Sequence, residues 1–314
     1  MTDLVEKMYA TLGETCATDP GVAHIEIHGN EVLGLQLVPG LNVVADERED
    51  GVDARVVLDA GVALENPVRI CFGLLPERGV QRINMEIDLG EDSRMAVVSS
   101  CTFPNAIDVL HTMDADITLG RNAEYAYLER HVHGSAGGVE VVPDARVRLE
   151  EGARFRTDFE LLEGRAGSIA IDYEAVCMAR SVLEMSARIS GSGNDSIKIH
   201  EKATLVGERA RGVLTTSIAV RDQAAAEVKN TLRAEAAYAR GHVDCKEIIR
   251  DHGRAMAVPI VEVLHPRAHV THEAAIGSVD AKQLQTLMAH GLSEDRATDL
   301  IIEGLLSPSY GGRD

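Results

Sequence analysis

The chain has 314 residues and is 45% hydrophobic, enough to bury a core as one large domain or two smaller ones. Its formal charge of −19 repels phosphate backbones and anionic lipid, which argues against nucleic acid and membrane surfaces as partners. No segment approaches the roughly 20 apolar residues of a membrane span, and the start Met1-Thr2-Asp3-Leu4 lacks a basic stretch before an apolar run, so the expected location is cytoplasmic.

With four Phe, six Tyr and no Trp, the packing must come from Ala, Val, Ile and Leu, which suits thin stacked layers. Leu4, Met8 and Leu12 recur at four-residue spacing after the capping residues Thr2 and Asp3, so a short amphipathic helix is predicted before the turn Asp19-Pro20-Gly21. From Val22 the texture becomes short β-branched or alternating runs, as in 23–28, 32–38 and 54–58. It persists through 82–89, 96–99, 115–119, 145–149, 168–176, 196–200 and 213–220, with turns expected at Gly120, Gly152, Gly164, Gly191 and Gly207.

That much strand, with so few rings, favours a parallel β-helix whose rungs stack small aliphatic side chains. No strict repeat period can be extracted, and a large β-sandwich is the competing architecture. After Gly277, Asp280 with Gln283 and then Ser293 read as helix starts, giving a helical hairpin over about 280–306 that ends before Pro308. The expected division is an N-terminal helical segment, 1–20, a β-helix core, 21–277, and a C-terminal helical region, 278–314.

Five cysteines, Cys16, Cys71, Cys101, Cys177 and Cys245, occur without any C-x-x-C pair, a poor match to a disulfide framework or a zinc finger. The first four read as small buried hydrophobes. Phosphate-loop and dinucleotide-binding glycine motifs are absent, and His272-Glu273 opens like H-E-x-x-H but meets Ile276 where the second histidine is needed.

Chemistry concentrates between Gly241 and Gly277. On a strand, Val243, Cys245 and Glu247 share one phase and His242, Asp244 and Lys246 the other. This spacing suits a buried inert thiol, except that Glu247 would be costly to bury without a metal or a cation. His265, His269, His272 and Glu273 follow within nine residues. Thiolate, imidazole and carboxylate together can bind iron or zinc. His272 and Glu273 point to opposite faces of a strand, and His265 and His269 read as surface residues.

The succession Val243-Asp244-Cys245, Ala257-Val258-Pro259-Ile260-Val261-Glu262, His265-Pro266-Arg267-Ala268 and Thr271-His272-Glu273-Ala274-Ala275-Ile276-Gly277, closing with Gln283-Leu284 and Gly291-Leu292-Ser293, resembles the SufB/SufD family of iron–sulfur cluster assembly scaffolds. The match is dense over about 75 residues and looser upstream, where Ala123-Glu124-Tyr125 fits without identifying; the short N-terminal region suggests a compact, archaeal-type member.

The resemblance implies a mainly β protein, a right-handed parallel β-helix with a short N-terminal helix and a C-terminal helical hairpin that docks a SufC-type ABC ATPase. It implies a non-catalytic scaffold that holds a transient iron–sulfur cluster and passes it to apo iron–sulfur proteins, with a second scaffold subunit as partner; the compact length favours a homodimer. Cys245 matches the cysteine of the SufB branch, and Glu273 with His272 its glutamate and histidine, as metal ligands. The second cysteine of bacterial SufB members, sought around Asp144 to Arg154, is missing, which leaves Cys101, Cys177 or free sulfide as the sulfur route. Flavin, bound by some relatives, has no recognisable signature here. Two other readings stay open: a secreted-type β-helix carbohydrate-active enzyme and a purely structural protein-binding solenoid.

Overall fold

The computed structural model describes residues 3–13 and 19–307. Cys16, Thr2 and Pro308 lie outside them. Among the described residues, helix α1 (Asp3–Thr11) is followed by nineteen strands, β1 (His24–His28), β2 (Glu31–Gln36), β3 (Leu41–Glu47), β4 (Gly51–Leu58), β5 (Val68–Gly73), β6 (Arg78–Leu89), β7 (Arg94–Phe103), β8 (Asp108–Leu119), β9 (Glu124–His133), β10 (Val139–Leu149), β11 (Arg154–Glu163), β12 (Ser168–Cys177), β13 (Val182–Gly191), β14 (Ser196–Leu205), β15 (Arg211–Val220), β16 (Ala225–Ala234), β17 (Arg240–Ile249), β18 (Arg254–Val263) and β19 (His269–Gly277), and by a pair of helices, α2 (Ala281–Ala289) and α3 (Glu294–Leu306).

The strands sort by parity into two sheets. The first runs β19-β17-β15-β13-β11-β9-β7-β5-β1-β2 and the second β18-β16-β14-β12-β10-β8-β6-β4-β3. Every neighbour pair from β4 and β5 onward is parallel, as in β9 (Glu124–His133) beside β11 (Arg154–Glu163). The chain therefore alternates between two facing sheets and climbs one rung at a time, a parallel β-solenoid and not a sandwich.

Glu124, Arg154, Val182, Arg211, Arg240 and His269 are successive register partners, so one coil takes 28–30 residues. The inward phase is built from small and aliphatic side chains. One inner column contains Leu89, Leu119, Leu149, Cys177 and Leu205, all buried. Cys177 occupies an aliphatic position there, as a small hydrophobe would.

Each coil turns its corner through a residue with positive φ, namely Asp92, Asn122, Gly152, Arg180, Arg209 and Tyr238. A small buried residue follows each: Ser93, Ala123, Ala153, Ser181, Ala210 and Ala239. Gly191 differs from its expected role as a turn: it is the last residue of strand β13 (Val182–Gly191).

The two ends differ. At the N-terminal end the antiparallel pairs β1–β2 and β3–β4 close the sheets, and α1 lays Val5, Met8, Tyr9 and Leu12 on Cys71 and Val132 of the outer face. Met8 and Leu12 are buried as expected, Leu4 is only half-buried, and Val5 and Tyr9 complete the packed stripe. At the other end, β18 (Arg254–Val263) and β19 (His269–Gly277) are the terminal strands, each hydrogen-bonded on one side only.

The hairpin forms from local signals. Asp280 accepts a hydrogen bond from the Gln283 amide at 2.8 Å and Ser293 one from the Arg296 amide at 3.3 Å, satisfying helix-start donors. Gly291, with φ of 93°, makes the turn between the helices. Helix α3 packs back on the solenoid through buried Arg188, which donates to the Leu306 carbonyl at 3.0 Å and pairs with Asp158 and Glu160 at 3.0 and 2.8 Å.

Candidate functional site

Strand β17 (Arg240–Ile249) carries the predicted thiol one rung below the end of the solenoid. Its alternation holds: Val243, Cys245 and Glu247 are buried inside, while His242, Asp244 and Lys246 line the outer face and are half-buried. Directly below Cys245 on β15 is Thr216, and directly above it on β19 is Ala274.

Polar groups gather around this thiol from both sheets. Asn230 on the facing strand β16 (Ala225–Ala234) donates to Thr216 Oγ1 at 2.9 Å and has its amide nitrogen 4.0 Å from Cys245 Sγ. Glu201, also inside, lies beside Asn230 in register. Both oxygens of Glu247, Oε2 of Glu201 and Oδ1 of Asn230 are buried without a hydrogen-bond partner. Natural interiors hold few such groups, so their collection beside one cysteine marks the place.

Burial drives the acid–base behaviour. It raises the Glu201 carboxyl to about 8, against the hydrogen bond from Asn230, and the Glu247 carboxyl to about 7, with Asp244 adding repulsion. Burial also pushes the Cys245 thiol up to about 12, helped by the fields of Glu247, Glu201 and Asp244. In this arrangement burial and the neighbouring carboxylates favour the neutral thiol over the thiolate.

His272 and Glu273 take the opposite faces that strand alternation requires. His272 stands in register with Val243, in the same inward phase as Cys245, and is exposed because no rung covers β19. Glu273 stands in register with Asp244 on the outer face, where His242, Asp244 and Glu273 bring ligand atoms within 4.8 Å of one another. His242 Nδ1 is 2.8 Å from Thr271 Oγ1, and Lys246 donates to Asp244 at 2.6 Å. Cys245 and His272 thus share a strand phase, one buried and the other exposed at the open end, while Glu273 belongs to an exterior trio across the sheet. His269 is exposed and His265 is half-buried in a turn, its Nδ1 accepting from the Arg267 amide at 3.1 Å.

A second inner cluster lies in the N-terminal half and escapes the sequence reading. Cys101 of β7 (Arg94–Phe103) and Glu129 and His131 of β9 are fully buried, with ligand atoms within 4.8 Å of one another. Burial raises Glu129 to about 7 and lowers His111, His131 and His133 to about 3. One signal was available: Tyr125, Tyr127, Glu129, His131 and His133 share a single strand phase, so burying the tyrosines buries the rest.

Fold and site together define a β-solenoid protein whose interior, near the uncapped end, places a thiol beside buried carboxyl and amide groups. The family model described as SUF system FeS cluster assembly, SufBD core domain, matches residues 76–305, and the chain belongs to that family of iron–sulfur cluster assembly proteins. It is 34% identical over 282 residues to an iron–sulfur cluster assembly SufBD family protein of Methanocaldococcus jannaschii, covering 90% of this chain and 89% of the relative. A counterpart in Pyrococcus horikoshii is 35% identical over 285 residues, covering 91% and 87%. The iron–sulfur cluster assembly protein SufB of Bacillus subtilis is 24% identical over 266 residues, covering 81% and 55%. No helix among the described residues is long and apolar enough to cross a membrane.

Proposed function

We propose that this protein is a non-catalytic scaffold subunit on which an iron–sulfur cluster is built at the open end of the solenoid and then handed to apo-proteins in the cytoplasm. The observation that carries the reading is the set around Cys245: a thiol one rung from the end, flanked by unpartnered carboxylate and amide oxygens, under the small side chain of Ala274. Mixed sulfur, nitrogen and oxygen donors hold iron less firmly than four thiolates, as suits a site that must release its cargo.

Cys245 serves as thiolate, His272 as the imidazole of the same inward phase, and Glu273 as the oxygen ligand or iron entry point. Because Glu273 lies on the outer face, all three reach one ion only if β19 moves or a second copy contributes. Strand β19 is held by one neighbour, β17, which favours such movement. A SufC-type ABC ATPase, docking on α2 and α3, supplies the work. Its pull reaches the solenoid through Arg188 and through Arg250 at the end of β17, which pairs with Asp295 of α3 at 2.5 Å. The second copy joins through β18 and β19, making a homodimer.

The test is anaerobic reconstitution with iron, sulfide and the ATPase partner. Cys245→Ser and Glu273→Ala are expected to lose most of the cluster absorbance, and His272→Ala a part of it. Wild-type cluster content in the first two would remove the site assignment. A thiol-alkylation assay adds a second readout: Cys245 should react slowly alone and faster when ATP and the ATPase are present.

A further inference from the structure

In the cluster of Cys101, Glu129 and His131, Cys101 on β7 lies five rungs from Cys245 and the other two on β9 lie four, roughly 19–24 Å at the usual strand spacing. The two sites therefore cannot share an ion. The hydrogen bonds around His131 dictate what lies between it and Glu129. His133 Nδ1 is 3.0 Å from the Arg165 carbonyl oxygen, which can only accept, so that nitrogen carries the proton. The neutral His133 then offers a bare Nε2, 3.2 Å from His131 Nδ1, which must donate to it. A neutral His131 is left with a lone pair on Nε2, facing a Glu129 carboxyl oxygen at 2.8 Å. Two lone pairs cannot meet at that distance without a proton or a metal cation between them.

A proton there satisfies those two groups, and the Cys101 thiol reaches the same carboxyl oxygen only as a long donor, at 3.8 Å. His111 of β8 (Asp108–Leu119), its ring centroid 6.0 Å from that of His131, keeps both ring nitrogens buried without a partner. A metal cation engages thiolate, imidazole and carboxylate at once, and the two anionic ligands neutralise it in a medium that cannot solvate charge.

We infer that Cys101, Glu129 and His131 form a structural metal site inside the solenoid, with His111 as the further donor, for a divalent cation of borderline softness such as zinc(II). Cys101 comes from β7, Glu129 and His131 from β9 and His111 from the facing sheet. The ion would tie adjacent rungs and both sheets together, entering as the coils wind because the finished site is sealed.

The test uses the full chain produced in medium supplemented with zinc(II), and separately with cobalt(II) as the spectroscopic probe. One ion per chain is expected by elemental mass spectrometry, with a thiolate-to-cobalt charge-transfer band in the ultraviolet. Both should survive Cys245→Ser and disappear in Cys101→Ser and Glu129→Gln. Should either variant fail to fold, His131→Gln and the wild-type metal content decide. Folded wild-type protein without stoichiometric metal from either medium overturns the proposal. So does equal loading of a folded Cys101→Ser chain, or recovery of Cys101 as a persulfide in metal-free protein.

Discussion

Glu201 is a carboxylic acid held where its neutral form is favoured, and that gives stability a definite dependence on pH. In the unfolded chain it ionises near its ordinary value of 4.5, while in the folded protein burial delays ionisation to about 8. Between these values the native state binds more protons than the unfolded one, so this residue's contribution falls as pH rises through the window and then levels off. The buried imidazoles of His111, His131 and His133 act oppositely: lowered from 6.5 to about 3, they cost stability as pH falls through that range. Glu201→Gln keeps the shape and removes only the first effect. Denaturant titration should find it more stable than wild type at pH 9, on the order of a few kcal/mol, and unchanged at pH 4; an offset independent of pH would contradict the assignment. At this scale alternation made part of the site legible: the inward phase of Val243, Cys245 and Glu247 and the opposed faces of His272 and Glu273 follow from a period of two. Glu201 and Asn230 were not legible, because they reach Cys245 from the facing sheet at separations that depend on coil length.

Helices announce their ends with side chains, and solenoid corners do not. Asp280 and Ser293 cap α2 and α3 by accepting backbone N–H bonds three residues on, so the hairpin could be placed from sequence. The corners recur at 28–30 residues, yet their positive-φ position is filled by Asp92, Asn122, Gly152, Arg180, Arg209 and Tyr238. Only the Gly and the Asn are conspicuous there, so the repeat hid behind unlike residues. The stacking that follows the corners holds the fold, and α3 is tied to it by Arg250, by its own buried side chains and by one buried arginine that reaches out from the coils. Arg188 is buried against Asp158, Glu160 and the Leu306 carbonyl. Arg188→Met preserves much of the volume but strands the carboxylates, with a loss of about 3–5 kcal/mol expected for breaking a buried pair. Hydrogen exchange should show α3 losing protection first, and affinity for the proposed ATPase partner should fall with it. Undiminished protection of α3 would mean that its apolar face alone holds it.

The molecule as a whole is a column with one end finished and one unfinished. Antiparallel pairs and α1 close the first end, whereas β18 and β19 present free edges and apolar side chains, with Met256, Val263, Leu264 and Ile276 at 44–57% exposure. A long apolar edge invites strand pairing, and proteins that remain single usually protect it with charge. Here the charge is withheld: the sequence carries −19 in total, but β18 contributes only Arg254 and Glu262, and β19 only Glu273 with two histidines. In the proposed homodimer, an almost neutral end on a strongly acidic column would let two copies meet there while their flanks repel. Ile276→Lys adds a charge on the open end without touching the packed core, and it should convert a dimer into a monomer by light scattering with an unchanged circular dichroism spectrum. Because the remaining surfaces repel, added salt should tighten the wild-type dimer by screening them. A dimer that loosens with salt would place the contact on charged flanks, and an Ile276→Lys protein still dimeric would move it away from β19.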